Sequence, residues 1–174
     1  LSWFTEKQVK HIFKQIALGL RDMHQHRLIH RDLKLANILL SDKSETPSVK
    51  IGGLSLALQL GSGYKITKRV GSVGFMAPEV LFKRPYDHKA DIYSLGVILY
   101  ILISTNPPFP LELFADDNFD QLMSQQVSFG EIIWLSYSPK VIDLLKNMLS
   151  FDPYSRYDIN MVLNHPWMTK ATLK

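Results

Sequence analysis

The sequence contains no cysteine among its 174 residues. This absence excludes a disulfide framework and a thiolate metal site, and it suits a reducing compartment, so we expect an intracellular protein, cytoplasmic or nuclear. Long hydrophobic runs are also lacking, since the longest, from Leu95 to Ile103, is interrupted by Gly96. A bilayer span needs about 20 apolar residues, and we therefore expect no association with a membrane.

Blocks of like charge are absent as well. The sequence has 20 Lys and Arg residues against 16 Asp and Glu residues, a formal net charge of +4, and the two signs are interleaved along the chain. This pattern is typical of a solvated surface, and we expect no nucleic-acid partner. At 46% hydrophobic residues, the chain has the composition of one compact domain with a sizeable core.

Sequence patterns predict a mainly helical fold. Apolar residues recur at helical spacing in the first predicted helix, and the second is almost wholly apolar, as expected of a helix buried on all sides. The third begins with a Ser N-cap followed by Pro, and the fourth begins at Asp. These helices run from Thr5 to about His26, from Asp91 to Ile103, from Ser138 to Met148, and from Asp158 toward His165.

Two short apolar runs predict a small β-hairpin. They comprise Ile38 to Leu40 and Val49 to Ile51, and a polar stretch containing Pro47 separates them. Gly61 to Gly74 is polar and predicts a loop.

Several motifs occur together in one order. His30 to Asn37 reads H-R-D-L-K-L-A-N, which fits the kinase catalytic-loop pattern H-R-D-L-x-x-x-N, and Ala77-Pro78-Glu79 supplies the A-P-E that closes an activation segment. With Asp91 to Tyr100 and His165-Pro166-Trp167, these motifs resemble the C-terminal lobe of a eukaryotic serine/threonine protein kinase, most closely the calmodulin-dependent group. The resemblance implies a mainly α fold, with a short β-hairpin beside the catalytic loop.

The resemblance covers residues 1–174 as a C-terminal lobe only. It begins at the helix before the catalytic loop, and this sequence has no counterpart of the glycine-rich loop, the V-A-I-K lysine or the helix-C glutamate of an N-terminal lobe. The family implies ATP and magnesium as cofactors, and a protein substrate or scaffold as partner. An isolated C-terminal lobe would also expose an apolar face, which we expect an N-lobe or another chain to cover.

The resemblance assigns catalytic roles to three residues of the loop. Asp32 would be the base that accepts the proton of the attacking hydroxyl, and Lys34 would offset charge on the transferred phosphate, as in serine/threonine kinases. Asn37 would hold a magnesium ion, or alternatively would only brace the loop. Leu39 would form the floor of the nucleotide pocket.

Gly53 departs from the family pattern. Where D-F-G should follow a short strand, the sequence reads Gly53-Leu54-Ser55, so glycine replaces the magnesium-binding Asp. Losing that carboxylate removes a full charge from the metal site, and a single amide oxygen is a weak substitute. We therefore expect a catalytically impaired domain, a pseudokinase or interaction module. The alternative is an active or weakly active ATP-dependent kinase within a longer chain, with Asp32 as base.

The remaining assignments are regulatory or structural. Arg31 would pair with a phosphorylated activation loop, in which Thr67 is the candidate phosphosite, one residue before the family's usual position. Ser72 would contact the catalytic Asp and Lys. The expected structural residues are His30, linking the loop to the central helix; Asp91, accepting hydrogen bonds from the catalytic-loop backbone; and Glu79 with Arg156, a buried ion pair.

Overall fold

A computed structural model describes residues 4–61, 63–114 and 119–169. Helices dominate these residues, as the sequence predicts, and the strands are short. The α-helices are α1 (Glu6–Gln25), α2 (Pro78–Leu81), α3 (Lys89–Ser104), α4 (Phe119–Met123), α5 (Pro139–Met148), α6 (Ile159–Asn164) and α7 (Pro166–Thr169). The strands are β1 (Leu28–Ile29), β2 (Ile38–Leu40), β3 (Val49–Ile51) and β4 (Leu58–Gln59), and four 3₁₀ turns cover Leu35–Asn37, Leu54–Leu56, Leu111–Phe114 and Ile132–Ser136.

Helix α1 begins at a capping box. The Thr5 side chain accepts from the Gln8 backbone N–H, and the Gln8 side chain accepts from the Thr5 backbone N–H, so two donors at the helix start are satisfied. Its apolar stripe packs into the core, as its helical periodicity predicts. The buried residues of this stripe are Val9, Ile12, Phe13, Ile16, Ala17 and Leu20.

Helix α3 is the central, buried helix of the fold. Residues 90–100 are all buried, including Asp91 and Ser94, and the helix contacts both α1 and α5. The prediction of burial on all sides fails at Ile101 and Leu102, which are only partly buried although they pack against the core, whereas Ile103 and Ser104 after them are buried.

Two antiparallel strand pairs flank the catalytic loop. The predicted hairpin is confirmed, with Ile38 opposite Ile51 and Leu40 opposite Val49. The other pair joins β1 to β4, with Ile29 opposite Leu58, and sequence analysis did not anticipate it. Together they fix both ends of the segment that carries the candidate catalytic residues.

The C-terminal helices follow the predicted caps. The Ser138 side chain accepts from Lys140 N at the start of α5, and the Asp158 side chain accepts from the backbone at the start of α6. The last predicted helix ends before His165. His165 is extended because a proline disfavours helical geometry in the residue that precedes it, and α7 then begins at Pro166.

Within the described ranges, no helix is both long and apolar enough to cross a membrane.

Candidate active site

Asp91 anchors the catalytic loop to the central helix. Its Oδ2 accepts from the His30 backbone N–H at 2.9 Å, and its Oδ1 accepts from the Arg31 N–H at 3.0 Å. The carboxylate is 1% exposed and lies in the first turn of α3, near the N-terminal backbone donors that favour negative charge. This is the contact that the resemblance implies for Asp91.

Sequence analysis missed His24 as a third partner of Asp91. Its Nε2 lies 3.0 Å from Asp91 Oδ2, and its side chain is 5% exposed at the end of α1. The ring therefore joins α1 to the same carboxylate that holds the loop. No sequence motif marks this contact, because it joins residues 67 positions apart.

Arg31 has a left-handed backbone, with φ of 66°. A non-glycine residue adopts this geometry when its surroundings fix it. Here the backbone N–H is bound by Asp91, and the side-chain Nε donates to the Leu56 carbonyl at 2.7 Å. Arg31 thus ties the catalytic loop to the start of the activation segment.

His30 is fully buried and joins two loops. Its Nδ1 accepts from the Asp32 backbone N–H at 3.2 Å, which leaves Nε2 to donate to the Gly52 carbonyl at 2.8 Å. The expected link to the central helix is present through the His30 backbone N–H, which donates to Asp91, while the two ring nitrogens bind Asp32 and Gly52.

Asp32, Lys34 and Ser72 form a closed triangle. Ser72 Oγ donates to Asp32 Oδ1 at 2.8 Å, and Lys34 Nζ donates to Ser72 Oγ at 2.7 Å and lies 3.0 Å from Asp32 Oδ2. The predicted contact of Ser72 with the loop Asp and Lys is therefore present. The preceding Gly71 has φ of 116°, and any side chain there would overlap the Arg31 carbonyl, so glycine permits the close approach.

Electrostatics keep Asp32 ionised. Burial alone raises the pKa of the Asp32 carboxyl, but hydrogen bonds from Ser72 and Lys34, with the Lys34 charge, outweigh that effect and hold its pKa below the ordinary value. The carboxylate can therefore accept a hydrogen bond at neutral pH. An ionised carboxylate of this kind can orient a hydroxyl group by accepting its hydrogen bond, as Asp32 does with Ser72.

Asn37 lies against Gly53, where the metal ligand of the family pattern is missing. Its Nδ2 donates to the Asp32 backbone carbonyl at 2.8 Å and lies 3.4 Å from Asp32 Oδ2. Gly53 has φ of 73°, and a Cβ built on it would overlap the amide group of Asn37. The Asn37 amide therefore fills the space that a side chain at position 53 would occupy, and it braces the loop.

This arrangement does not fit a magnesium ion held in the family manner. Position 53 offers no carboxylate, and Asn37 offers a single amide oxygen, which is a weak substitute for it. Within the described residues, no group of three or more His, Cys, Asp or Glu side chains could hold a metal ion. Of the expected ligand set, only Asn37 Oδ1 remains among the described residues.

Apolar side chains are exposed around the hairpin. Leu39, the predicted floor of a nucleotide pocket, is 56% exposed and lies against Gly52, while Leu54, in the family's Phe position, is 55% exposed. Leu40 and Leu58 are also exposed. These leucines supply apolar surface of the kind expected to meet an N-lobe or another chain.

Glu79 and Arg156 form the expected buried ion pair. Arg156 Nη1 and Nη2 donate to the two carboxylate oxygens at 2.6 and 2.9 Å, and Arg156 is 1% exposed and Glu79 5% exposed. Arg156 also donates to the carbonyls of Lys89 and Ser150. The pair thus joins α2 to α3 and to the segment before α6.

Thr67 lies exposed in the activation segment. Its neighbour Ile66 forms an antiparallel bridge with Tyr86, whose hydroxyl donates to the Lys68 carbonyl at 2.9 Å. Burial raises the pKa of the Tyr86 phenol, and the nearby Arg31 partly offsets that effect. Tyr86, a residue that sequence analysis missed, therefore holds the backbone on both sides of Thr67.

Comparison with known proteins agrees with this geometry. A sequence profile of the family described as protein kinase domain matches residues 2–168. DNA damage response protein kinase DUN1 of Saccharomyces cerevisiae is 34% identical, covering 93% of this chain and 35% of its own length. Calcium-dependent protein kinase 19 of Arabidopsis thaliana is 39% identical, covering 97% and 30%.

A third relative is the calcium and calcium/calmodulin-dependent serine/threonine-protein kinase of Lilium longiflorum, which is 34% identical, covering 98% of this chain and 33% of its own. The chain spans about a third of the length of these relatives. On the family profile and these identities, the chain belongs to the protein kinase domain family, and its relatives include serine/threonine kinases.

Proposed function

We propose that this chain is a serine/threonine kinase-like C-terminal lobe that keeps its hydroxyl-binding side and is impaired in magnesium-dependent transfer. It would then act as a pseudokinase or an interaction module. The observation that supports this most is the overlap of any side chain at Gly53 with the Asn37 amide. Family chemistry uses ATP with magnesium, and a metal site without its carboxylate loses much of its affinity.

The substrate side of the site supports retention of a binding role. A protein-substrate hydroxyl that replaced Ser72 at Asp32 and Lys34 would meet an ionised acceptor and a cation at about 3 Å. Binding there requires no change in the protonation of Asp32, because its pKa is already lowered. Such a lobe can hold a serine or threonine segment without transferring phosphate to it.

The triangle of Asp32, Lys34 and Ser72 also favours a second candidate, slow transfer within a longer chain. In that reaction the substrate hydroxyl oxygen attacks the γ-phosphorus, the bond to the ADP oxygen breaks, and the hydroxyl proton passes to Asp32. Lys34 would offset charge on the transferred group. Leu39 and an N-lobe would have to hold the nucleotide, and the location would be intracellular.

Transfer of labelled phosphate tests the proposal. The 174-residue chain is incubated with γ-labelled ATP, magnesium and serine/threonine peptides, beside an Asp32→Ala control. We expect equal incorporation by the two. Incorporation above the control that EDTA abolishes would contradict the impaired site, whereas incorporation that persists in EDTA would establish the slow, metal-independent enzyme.

Gly53→Asp separates a missing ligand from a missing lobe. In this chain we expect no gain in transfer, because the new side chain must displace Asn37 and nothing from an N-lobe holds the phosphates. In a longer parent with an intact N-lobe, the same change should raise magnesium-dependent transfer at least about tenfold. No gain in such a parent would show that metal loss is not limiting.

A further inference from the structure

We propose that a basic groove between the first half of α1 and the loop before β3 binds an acidic peptide segment of a partner protein. The basic groove is lined by Lys7, Lys10 and Lys14 on the helix, and by Glu45 and Thr46 on the loop. It encloses about 560 Å³. None of the candidate catalytic residues lines it, so this proposal stands apart from the phosphate chemistry.

The three lysines lie on one stripe of α1. Their spacing of three and four residues places them one above another on the helix surface. Lys7 and Lys14 are exposed, and Lys10 between them is partly buried. The stripe therefore presents two exposed positive charges about 10 Å apart, and the ammonium of Lys10 between them lies 5.7 Å from the centre of the Trp167 ring.

The charge balance in the groove is positive. Burial lowers the pKa of Lys10, and the charges of Lys14 and Lys140 lower it further, while Glu6 acts in the opposite direction. Burial is the largest of these effects on the Lys10 pKa, so the positive character of the groove follows from its lining of three lysines and one acid, which an anionic ligand would complement.

The nearest acid on the helix, Glu6, makes its hydrogen bonds outside the groove, although its charge still acts on Lys10. Glu6 Oε1 accepts from Trp167 Nε1 at 2.7 Å, and Glu6 Oε2 accepts from the Ser138 N–H at 3.2 Å. These bonds hold the start of α1 against the C-terminal helices. Among the described residues that line the groove, Glu45 is the one acid and there are three lysines.

The walls of the groove are fixed before any ligand arrives. Gln15 Nε2 donates to the Pro47 carbonyl at 3.0 Å, and Gln15 Oε1 accepts from the Val49 N–H at 3.0 Å. His11 Nε2 lies 3.1 Å from the same Pro47 carbonyl. The helix and the loop are thus tied together, so binding a ligand costs little ordering of the protein.

The chemistry of the groove favours a carboxylate-rich peptide. In an extended peptide, acids at every second position recur about every 6.8 Å, and flexible lysine side chains can follow that spacing. Among the described residues that line the groove there is no Arg for bidentate phosphate contacts and no Phe, Tyr or Trp on which a nucleic-acid base could stack. Asp- or Glu-rich segments therefore fit better than nucleic acid.

Fluorescence anisotropy with a labelled ten-residue peptide containing five glutamates tests this proposal. The wild-type chain should bind the peptide and ignore a matched glutamine peptide. Lys7→Glu with Lys14→Glu should weaken binding at least about tenfold, equivalent to about 1.4 kcal/mol. The control pair Lys50→Glu with Lys68→Glu changes the net charge equally at exposed positions outside the groove, and it should alter binding less than about twofold.

Three results would overturn the proposal: no binding of the glutamate peptide, equal weakening in both charge-reversed pairs, or equally tight binding of an oligouridylate or of anionic vesicles. The last two would indicate unspecific attraction of anions. Circular dichroism checks that each variant is folded. If the Lys7→Glu, Lys14→Glu chain does not fold, Lys7→Gln with Lys14→Gln replaces it, and unchanged binding by that pair would equally refute the groove.

Discussion

Arg156→Ala should be among the most destabilising substitutions in this fold. Arg156 is 1% exposed, and its guanidinium pairs with both carboxylate oxygens of Glu79 at 2.6 and 2.9 Å. It also donates to the carbonyls of Ser150 and Lys89, and it lies 5.3 Å from the centre of the Tyr93 ring. Alanine leaves every one of these groups without its partner.

The magnitude follows from the buried carboxylate that is left behind. Removing one partner of a buried pair typically costs about 3–5 kcal/mol, because the remaining charge is uncompensated. Each buried carbonyl that loses its donor adds a smaller cost, about 1 kcal/mol. We therefore expect a loss of at least about 3 kcal/mol, which for a domain of this size lowers the melting temperature by at least about 6 °C.

Thermal and urea unfolding monitored by circular dichroism measure this loss. Lys14→Ala removes a cation from an exposed position and should stay within about 0.5 kcal/mol of the wild type. The double variant Glu79→Leu with Arg156→Met removes both charges and should be more stable than Arg156→Ala by at least about 1 kcal/mol. If Arg156→Ala unfolded within about 0.5 kcal/mol of the wild type, the buried-pair argument would be refuted.

Two further predictions concern the catalytic loop and the central helix. Ser72→Ala should raise the pKa of Asp32 by removing a hydrogen bond to its ionised form, whereas Ser72→Thr should not; carboxyl NMR titration measures both. The hydrogen bond from Ser72 to ionised Asp32 contributes to the free energy of folding above the unfolded pKa near 3.9. This contribution is lost as the pH falls through the lowered pKa of Asp32 in the folded protein. Gly96→Ala should cost about 1–3 kcal/mol in urea unfolding, since its Cβ would lie 3.0 Å from Leu149 Cδ2 and 3.1 Å from Met148 Cβ; an unchanged midpoint would contradict this.

Local patterns were sufficient to predict the main helices. The Thr5 cap with helical periodicity predicts α1, and Ser138-Pro139 predicts the start of α5, because capping and proline geometry act within one turn. The hairpin is likewise local, with a short polar connection. The break before α7 carried a local signal that sequence analysis did not use, namely the proline that follows His165.

The strand pair β1–β4 and the role of His24 depend on contacts between distant parts of the chain. Each of the two strands has only two residues, too few for an alternating pattern. His24 reaches Asp91 only after α1 has packed beside α3. Tertiary packing decides these features, and a single sequence does not reveal it.

For the candidate site, the sequence motif identified the residues, and the structure showed which of them are in contact. The catalytic-loop pattern identified Asp32, Lys34 and Asn37, and the structure places Ser72 on the first two. The sequence also showed that Gly53 removes a carboxylate. It did not show that the Asn37 amide fills the resulting space, because that depends on a left-handed backbone and a contact across the hairpin.

Magnesium titration of the isotope-labelled chain tests the central claim most directly. The side-chain amide of Asn37 donates to the Asp32 carbonyl and lies against Gly53, so its NMR resonances report any ion that binds there. With ATP present, we expect no saturable shift of these resonances up to about 10 mM magnesium, since position 53 supplies no carboxylate ligand. A saturable shift with a midpoint below about 1 mM would show an intact metal site and contradict the account.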